Sequence, residues 1–373
     1  MTQRAPLALV TAALLGCVGL HASAATEPIV IGQSLPLSGP GFPTANRVAA
    51  GAKAQVDRVN ASGGLFGRPL ELVTLDDGGD PKRHAANLHT LVRKNNAQAI
   101  VNCMGEMACA EAARAAQELG VPLVGPMSGA PALRSPKLTR VFSLRPDDTI
   151  EAQGLVRQLQ AIGISQAVLL VDGAEPARTE ALAAALQRAG VHVVRVTTDR
   201  RIESVEAALR DIVKADAQAL VLNLGYDVLA LLGQVPEGAL EGLPVTIATL
   251  SSAGLTQVTR SFRGRMVGYT STVPNPEVAQ LPIVRELQRD ADEFVGPEAV
   301  TFEGMESYLN LRLCTEALRR TGGRIDGPRL IDAIEGLGAL DMGGLRYTFS
   351  RDRHHGSDHV EIGMRARNGR LLR

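Results

Sequence analysis

The stretch from Ile29 to Val92 constrains the fold more than any other part of the chain. It reads IVIGQSLPLSGP, then a helical run, then NASGGLFGRPLELVTLDDGGDP, then a second helical run. A short apolar strand opens it, and the Ser-, Pro- and Gly-rich loop behind it cannot continue a strand. Gly51, Ala52, Gln55, Val56 and Val59 recur at helical spacing. Asn60, Gly63 and Gly64 end that helix, because glycine takes the left-handed conformation that a helix C-terminus needs. Gly67 and Pro69 turn the chain into a second strand, Leu70 to Leu75, and Asp80 before Pro81 is a helix N-cap and first-turn pair. The unit is βαβα.

The alternation continues. Strands are expected at Gln98–Val101, Val121–Val124 and Val141–Leu144, with a helix at Ala108–Leu119 and another from Asp147 and Asp148 to Gly163. A second series follows: strands at Ala167–Val171, Val191–Val196, Ala219–Leu224, Val245–Thr249 and Met266–Thr270, with helices at Ala177–Ala189, Ser204–Lys214 and Asp227–Gly233. Strands alternating with helices imply parallel sheets covered on both faces. Two such series predict an α/β chain of two doubly wound parallel-sheet lobes. After Pro274 three helices come with little strand between them: Leu281–Phe294, Phe302–Thr321 and Asp326–Glu335.

The order and spacing of several turns and helix ends resemble one family. They are ASGGLFGRPLEL, DDGGDP, GVPLVGPMSGAPALR, ALRRTGG, DMGGLRYTF and HHGS. Together they resemble the periplasmic solute-binding proteins of ABC importers, of the branched-chain amino acid (Leu/Ile/Val) type, over essentially all of the chain beyond its N-terminal segment. The resemblance implies a type I periplasmic binding protein fold, two lobes joined by a three-segment hinge that closes on a ligand. It implies an N-terminal lobe of residues 27–146 and 275–340, and a C-terminal lobe of 147–274 and 341–373. Gly344–Phe349 and Val360–Met364 would then finish the second lobe. It also implies a membrane permease as partner, with no catalysis and no cofactor. A ligand sensor of the same fold, regulating a receptor or another protein, is the alternative.

The N-terminus agrees with that compartment. Arg4, an apolar run from Leu7 to Leu20 and Ala22-Ser23-Ala24 make a secretory signal peptide, residues 1–24. Leu14-Leu15-Gly16-Cys17 also resembles a lipobox, which would leave Cys17 acylated. Cleavage after Ala24 leaves 373 − 24 = 349 residues, more than one typical core, so two domains are expected. Removing Arg4 changes 39 basic and 39 acidic residues to 38 and 39, which disfavours nucleic acid as partner. No second apolar run is long enough to span a membrane, and a monomer is expected. Cys103 and Cys109 could pair in an oxidising compartment or stay free, and Cys314 in an apolar helix is expected as a buried thiol.

Ligands of open α/β sheets bind beyond the carboxyl ends of the strands. In the first lobe that selects Ser38, Gly105, Glu106, Met127, Ser128 and Gly129, in loops whose helix starts offer unpaired N–H groups. The resembling proteins use these loops for an amino-acid head group, often with Ser or Thr. Glu106 and Gly129 depart from that pattern. Glu106 could accept a ligand cation or be an acid favoured by the helix dipole. In the second lobe the candidates are Glu175, Tyr226, Ser251 and Ser252. The absence of Trp, with four Tyr and seven Phe, disfavours sugars and quaternary-ammonium cages, although Phe42, Tyr226, Tyr269 and Phe302 could cluster. A small amino acid, amide or organic acid fits better. No G-x-S-x-G, H-E-x-x-H, Walker A or G-x-G-x-x-G is present. His354, His355 and His359 with Asp352 and Asp358 read as a solvated loop rather than a metal site.

Overall fold

The computed structural model describes residues 27–250, 254–262, 264–278, 280–368 and 371–372. The first sheet holds β1 (Ile29–Leu35), β2 (Leu70–Asp76), β3 (Ile100–Val101), β4 (Leu123–Val124) and β5 (Val141–Phe142). Its order is β2-β1-β3-β4-β5, all parallel. The second sheet repeats that order with β6 (Gln166–Val171), β7 (His192–Thr197), β8 (Ala219–Asn223), β9 (Thr246–Thr249) and β10 (Met266–Ser271), which run β7-β6-β8-β9-β10. These strands are parallel as well.

Helices follow the strands in turn: α1 (Phe42–Ala61), α2 (Pro81–Arg93), α3 (Glu106–Leu119), α4 (Asp148–Ala161), α5 (Pro176–Arg188), α6 (Ile202–Lys214), α7 (Tyr226–Leu232) and α8 (Leu255–Ser261). Helix α8 was not legible in the sequence. Asp80 caps α2 through Arg83 N, and Asp147 caps α4 through Thr149 N and Ile150 N, as their sequence positions required. In the second lobe one face of the sheet is covered by Leu209, Ile212, Leu229 and Phe262, the other by Leu155, Leu159, Leu182 and Leu186.

The late helices α9 (Pro282–Asp290), α10 (Phe302–Arg320) and α11 (Gly327–Glu335) return to the first sheet. The expected helix from Leu281 to Phe294 ends earlier, and a π turn takes over at Ala291–Val295. Helices α1 and α10 pack so closely that a Cβ on Gly51 would collide with the backbone carbonyl of Gly304. A buried polar knot ties α10 to the first sheet. Asn102 Nδ2 donates to Gln33 Oε1 at 2.8 Å and to Ser307 Oγ at 3.0 Å, and Asn310 Nδ2 donates to Asn102 Oδ1 and Gly125 O, both at 2.9 Å.

One expectation is corrected here. Gly344–Phe349 does not finish the second lobe. Its strand β12 (Arg346–Phe349) pairs antiparallel with β11 (Gly338–Asp341) in a separate hairpin. Tyr347 and Phe349 are buried in the first lobe's core with Leu313 and Leu318, because the alternating strand has only that apolar surface within reach. It is β13 (Glu361–Arg365), antiparallel to β10, and the edge strand β14 (Leu371–Leu372) that extend the second sheet.

The chain thus passes between the sheets three times, after β5, after β10 and after β12. The first and third passages run side by side: Ser143 N donates to His354 O at 2.9 Å and Gly356 N to Ser143 O at 2.8 Å. His354 is only partly exposed. Its ring lies 4.3 Å from Phe142, and its Nε2 is 3.1 Å from Glu335. Among the described residues no helix is long and apolar enough to cross a membrane, and no His, Cys, Asp and Glu group is placed to hold a metal.

Candidate cleft site between the lobes

In a sheet of order 2-1-3-4-5 the connections leave in opposite directions from the first and third strands, and a crevice opens between them. Here both sheets have that order, and their two crevices face each other. A cavity of about 180 Å³ lies between them. Pro36 and Gly41 line it from behind β1, and Met104 to Ala108 from behind β3. Asp172, Ala174 and Glu175 line it from behind β6, and Gly225, Tyr226 and Asp227 from behind β8. Asp77, Asp80 and His84, after β2, close one side.

Of the residues expected from sequence, Gly105, Glu106, Glu175 and Tyr226 line this cavity. Ser38 does not. It is exposed, and its Oγ donates to Asp76 Oδ2 at 2.6 Å, within its own lobe. Met127, Ser128 and Gly129 follow β4, one strand beyond the crevice, and are buried beneath it. Met127 packs with Met104, Ser128 Oγ accepts from Ala130 N, and Gly129 O accepts from Asp148 N at 2.8 Å. Ser251 and Ser252 lie outside the described residues. Tyr269 and Phe302 meet edge to face at 5.6 Å, but Phe42 is exposed, so the four aromatics form no cage.

Two helix N-termini point at each other across the cleft. Gly105, at φ +86°, turns the chain into α3, and no side chain of its own lobe caps that helix. Glu175 does so from the other lobe, its Oε1 accepting from Glu106 N at 3.3 Å. Glu106 returns the contact, its Oε2 accepting from Ala177 N at the start of α5 at 2.9 Å. Each carboxylate therefore satisfies an orphan N–H and sits at the positive end of the opposite helix dipole. Cys103 and Cys109 are joined by a disulfide that ties the α3 loop to its helix, and Cys314 is buried and free.

Behind Glu175 the cleft floor is a buried ionic cluster that sequence reasoning missed. Arg178 donates to Glu175 Oε2 at 2.9 Å, and its Nε lies 3.6 Å from Asp148 Oδ1. Arg145 grips Glu306 with two bonds, of 2.8 and 2.6 Å. Burial pushes Glu175 up to about 7, against the pull of Arg178. Burial also raises Asp148, again opposed by Arg178. Burial works against the charges of Arg178 and Arg145, but the facing carboxylates outweigh it and both hold their protons more tightly. The Tyr226 phenol is raised by burial and by Glu175. One signal for Arg178 was present in the sequence, since it stands three residues after Glu175 on a helix start, where the two side chains meet.

This geometry can hold a small solute between two lobes. It offers no nucleophile–base pair among the described residues lining the cavity. The comparisons with known proteins agree. The periplasmic binding protein family matches residues 28–369. An "amino acid binding protein" of Pseudomonas aeruginosa is 29% identical over 40% of this chain, and the match spans only 38% of that relative's length. A possible leucine/isoleucine/valine-binding protein from Rhodopirellula baltica superposes with a TM-score of 0.83 at 24% identity, covering 94% of this chain and 97% of its own. An extracellular ligand-binding receptor from Verminephrobacter eiseniae superposes with 0.79 at 25% identity, covering 93% and 100%. With a family match running from the first described strand to the last turn, two lobes of one strand order and a cavity where their crevices meet, the chain belongs to the periplasmic binding protein family.

Proposed function

We propose that this chain is the periplasmic solute-binding component of an ABC importer. It captures a small molecule between its lobes and presents the closed form to a membrane permease. The supporting observation is the cavity between the facing crevices, with side chains of each lobe bonded to helix starts of the other. The names of relatives, an amino acid binding protein among them, favour a small nitrogen-bearing solute. The binding unit comprises a lobe of 27–146 with 275 through the β11–β12 hairpin, and a lobe of 147–274 with the remaining C-terminal segment. Residues 1–24 act as the export signal, and the protein turns over no substrate.

A thermal-shift screen of amino acids, amides and organic acids tests the reading. A solute at a hundred times its Kd stabilises by about 2.7 kcal/mol. Small-angle scattering with the solute found should show whether the lobes move. A screen with no stabilising member argues against solute capture, and a radius of gyration unchanged at saturation argues against a hinge that closes on ligand.

A further inference from the structure

The proposed solute-binding reading leaves the chemistry of the solute open, and the cleft narrows it. The cavity is lined by six carboxylates: Asp77, Asp80, Glu106, Asp172, Glu175 and Asp227. Its one arginine, Arg200, is paired with Asp227 at 3.3 Å. A cleft lined by one sign of charge between low-dielectric walls concentrates the opposite charge. Of the helix starts that line the cavity, those of α3 and α5 are already taken by Glu175 and Glu106. A carboxylate entering at either of these two starts would have to displace one acid and face the other.

A buried histidine stands beside these acids. His84 lines the cavity and is 2% exposed. Its Nδ1 lies 2.8 Å from Asp77 Oδ2. Asp77 also accepts from Ser34 Oγ and Gly79 N, so it acts as an acceptor and Nδ1 carries the proton. In the neutral ring Nε2 is then an acceptor, and it has no partner in the protein. The volume, about 180 Å³, suits a compact molecule. Tyr226 is the single Tyr, Phe or Trp among the described lining residues, too little aromatic surface for a quaternary ammonium.

We propose, resting on the solute-binding reading, that the solute is a small hydrogen-bonding cation without a carboxylate, an amine or guanidinium, and that Glu106 and Glu175 exclude its carboxylated counterparts. Calorimetric titration of the purified protein with matched pairs tests this. The pairs are ethylamine and alanine, isobutylamine and valine, putrescine and ornithine, methylguanidine and guanidinoacetate. Acetamide, propionamide, acetate and succinate complete the set. At least one amine or guanidine should bind ten times more tightly than its carboxylated partner, and Glu175→Gln should narrow that gap. A carboxylated partner binding as tightly as its amine overturns the cation class and leaves solute capture standing. A neutral amide binding as tightly as every cation does the same. No heat from any member counts against both.

Discussion

The two lobes share a strand order and differ in how they are held together. The second builds its parallel sheet from one continuous run, β6 to β10, and covers both faces with aliphatic layers. The first is assembled from two distant parts of the chain. Helix α10 enters from beyond residue 300, seats against α1 with glycine facing glycine, and is keyed by the Asn102–Asn310 knot. The asymmetry continues at the cleft. The second lobe's carboxylate, Glu175, is buried over Arg178, while the first lobe's, Glu106, is only partly covered and stands on a disulfide-bound loop. A shared topology therefore does not imply shared energetics. The second lobe's apolar core comes mostly from one run of chain, while the first lobe's joins distant segments and adds close backbone approach and long-range polar bonds.

Gly51→Ala should break the first lobe selectively. The added methyl meets the Gly304 carbonyl, which cannot rotate away as a side chain can, so the helices must separate. Overpacking of this kind costs about 3 kcal/mol or more. Hydrogen exchange should show β1 and α10 amides losing protection while those of β6 and β8 keep theirs. Equal loss in both lobes would mean that they unfold as one unit, and the contrast would fail.

The second prediction concerns Glu175 and pH. Its folded pKa, about 7, stands above the ordinary 4.5. Between those values the folded chain keeps a proton that the unfolded chain has released, so unfolding free energy falls as pH rises. The contribution is complete below pH 4.5 and gone above 7. At 1.36 kcal/mol per pH interval of one, the swing is roughly 3 kcal/mol at most. Glu175→Gln should remove that slope from denaturation curves measured across pH 4.5–7. Glu106→Gln should leave it in place, and equal slopes in the wild type and the Glu175 variant would reject the assignment.

Much of this contrast follows from what a sequence can express. The second lobe was legible almost strand by strand, because buried parallel strands are short apolar runs and each helix follows its strand directly. Late helices were legible as helices. Their return to the first lobe came only from the family resemblance, since periodicity carries no address. The hairpin β11–β12 was assigned to the wrong lobe for the same reason: an alternating strand shows that one face is buried, not against what. At the site, loops after β1, β3, β6 and β8 were recoverable from the rule about strand ends, and Gly105, Glu106, Glu175 and Tyr226 came with them. The loop after β4 lies beneath the cavity rather than in its lining, because the crevice depends on strand order, which no single segment encodes. The Arg145–Glu306 pair joins residues 161 positions apart and left no local trace.

The disulfide gives a smaller test, confined to the first lobe. In the protein freed of its leader, thiol counting under denaturing, non-reducing conditions should find one free thiol, Cys314. Cys103→Ser with Cys109→Ser should destabilise by roughly 2 kcal/mol, from the entropy of a short closed loop. Because that loop carries Glu106, solute affinity should fall with it, and dithiothreitol on the wild type should reproduce the effect. Three reactive thiols without reductant would remove the bridge.

Glu106→Gln should have the smallest effect on the fold and a specific one on binding. Glu106 is half-covered, and its carboxylate accepts across the cleft from the Ala177 N–H, which an amide oxygen can also satisfy. The melting temperature of the empty protein should therefore shift by no more than a few degrees, about the effect of 1 kcal/mol or less in a chain of this size. The negative charge is lost, however, and in a closed cleft a charge pair with the solute's ammonium is only weakly screened. Truncating one partner of such a pair costs about 2–5 kcal/mol when fully buried. Partial exposure places Glu106 below that range, so roughly tenfold weaker binding of the amine is expected, about 1.4 kcal/mol. Calorimetry at two salt concentrations checks the cause, because loss of a charge pair should flatten the salt dependence of Kd. An unchanged affinity would confine Glu106 to capping α5, and the first lobe would then contribute geometry to the site but no charge.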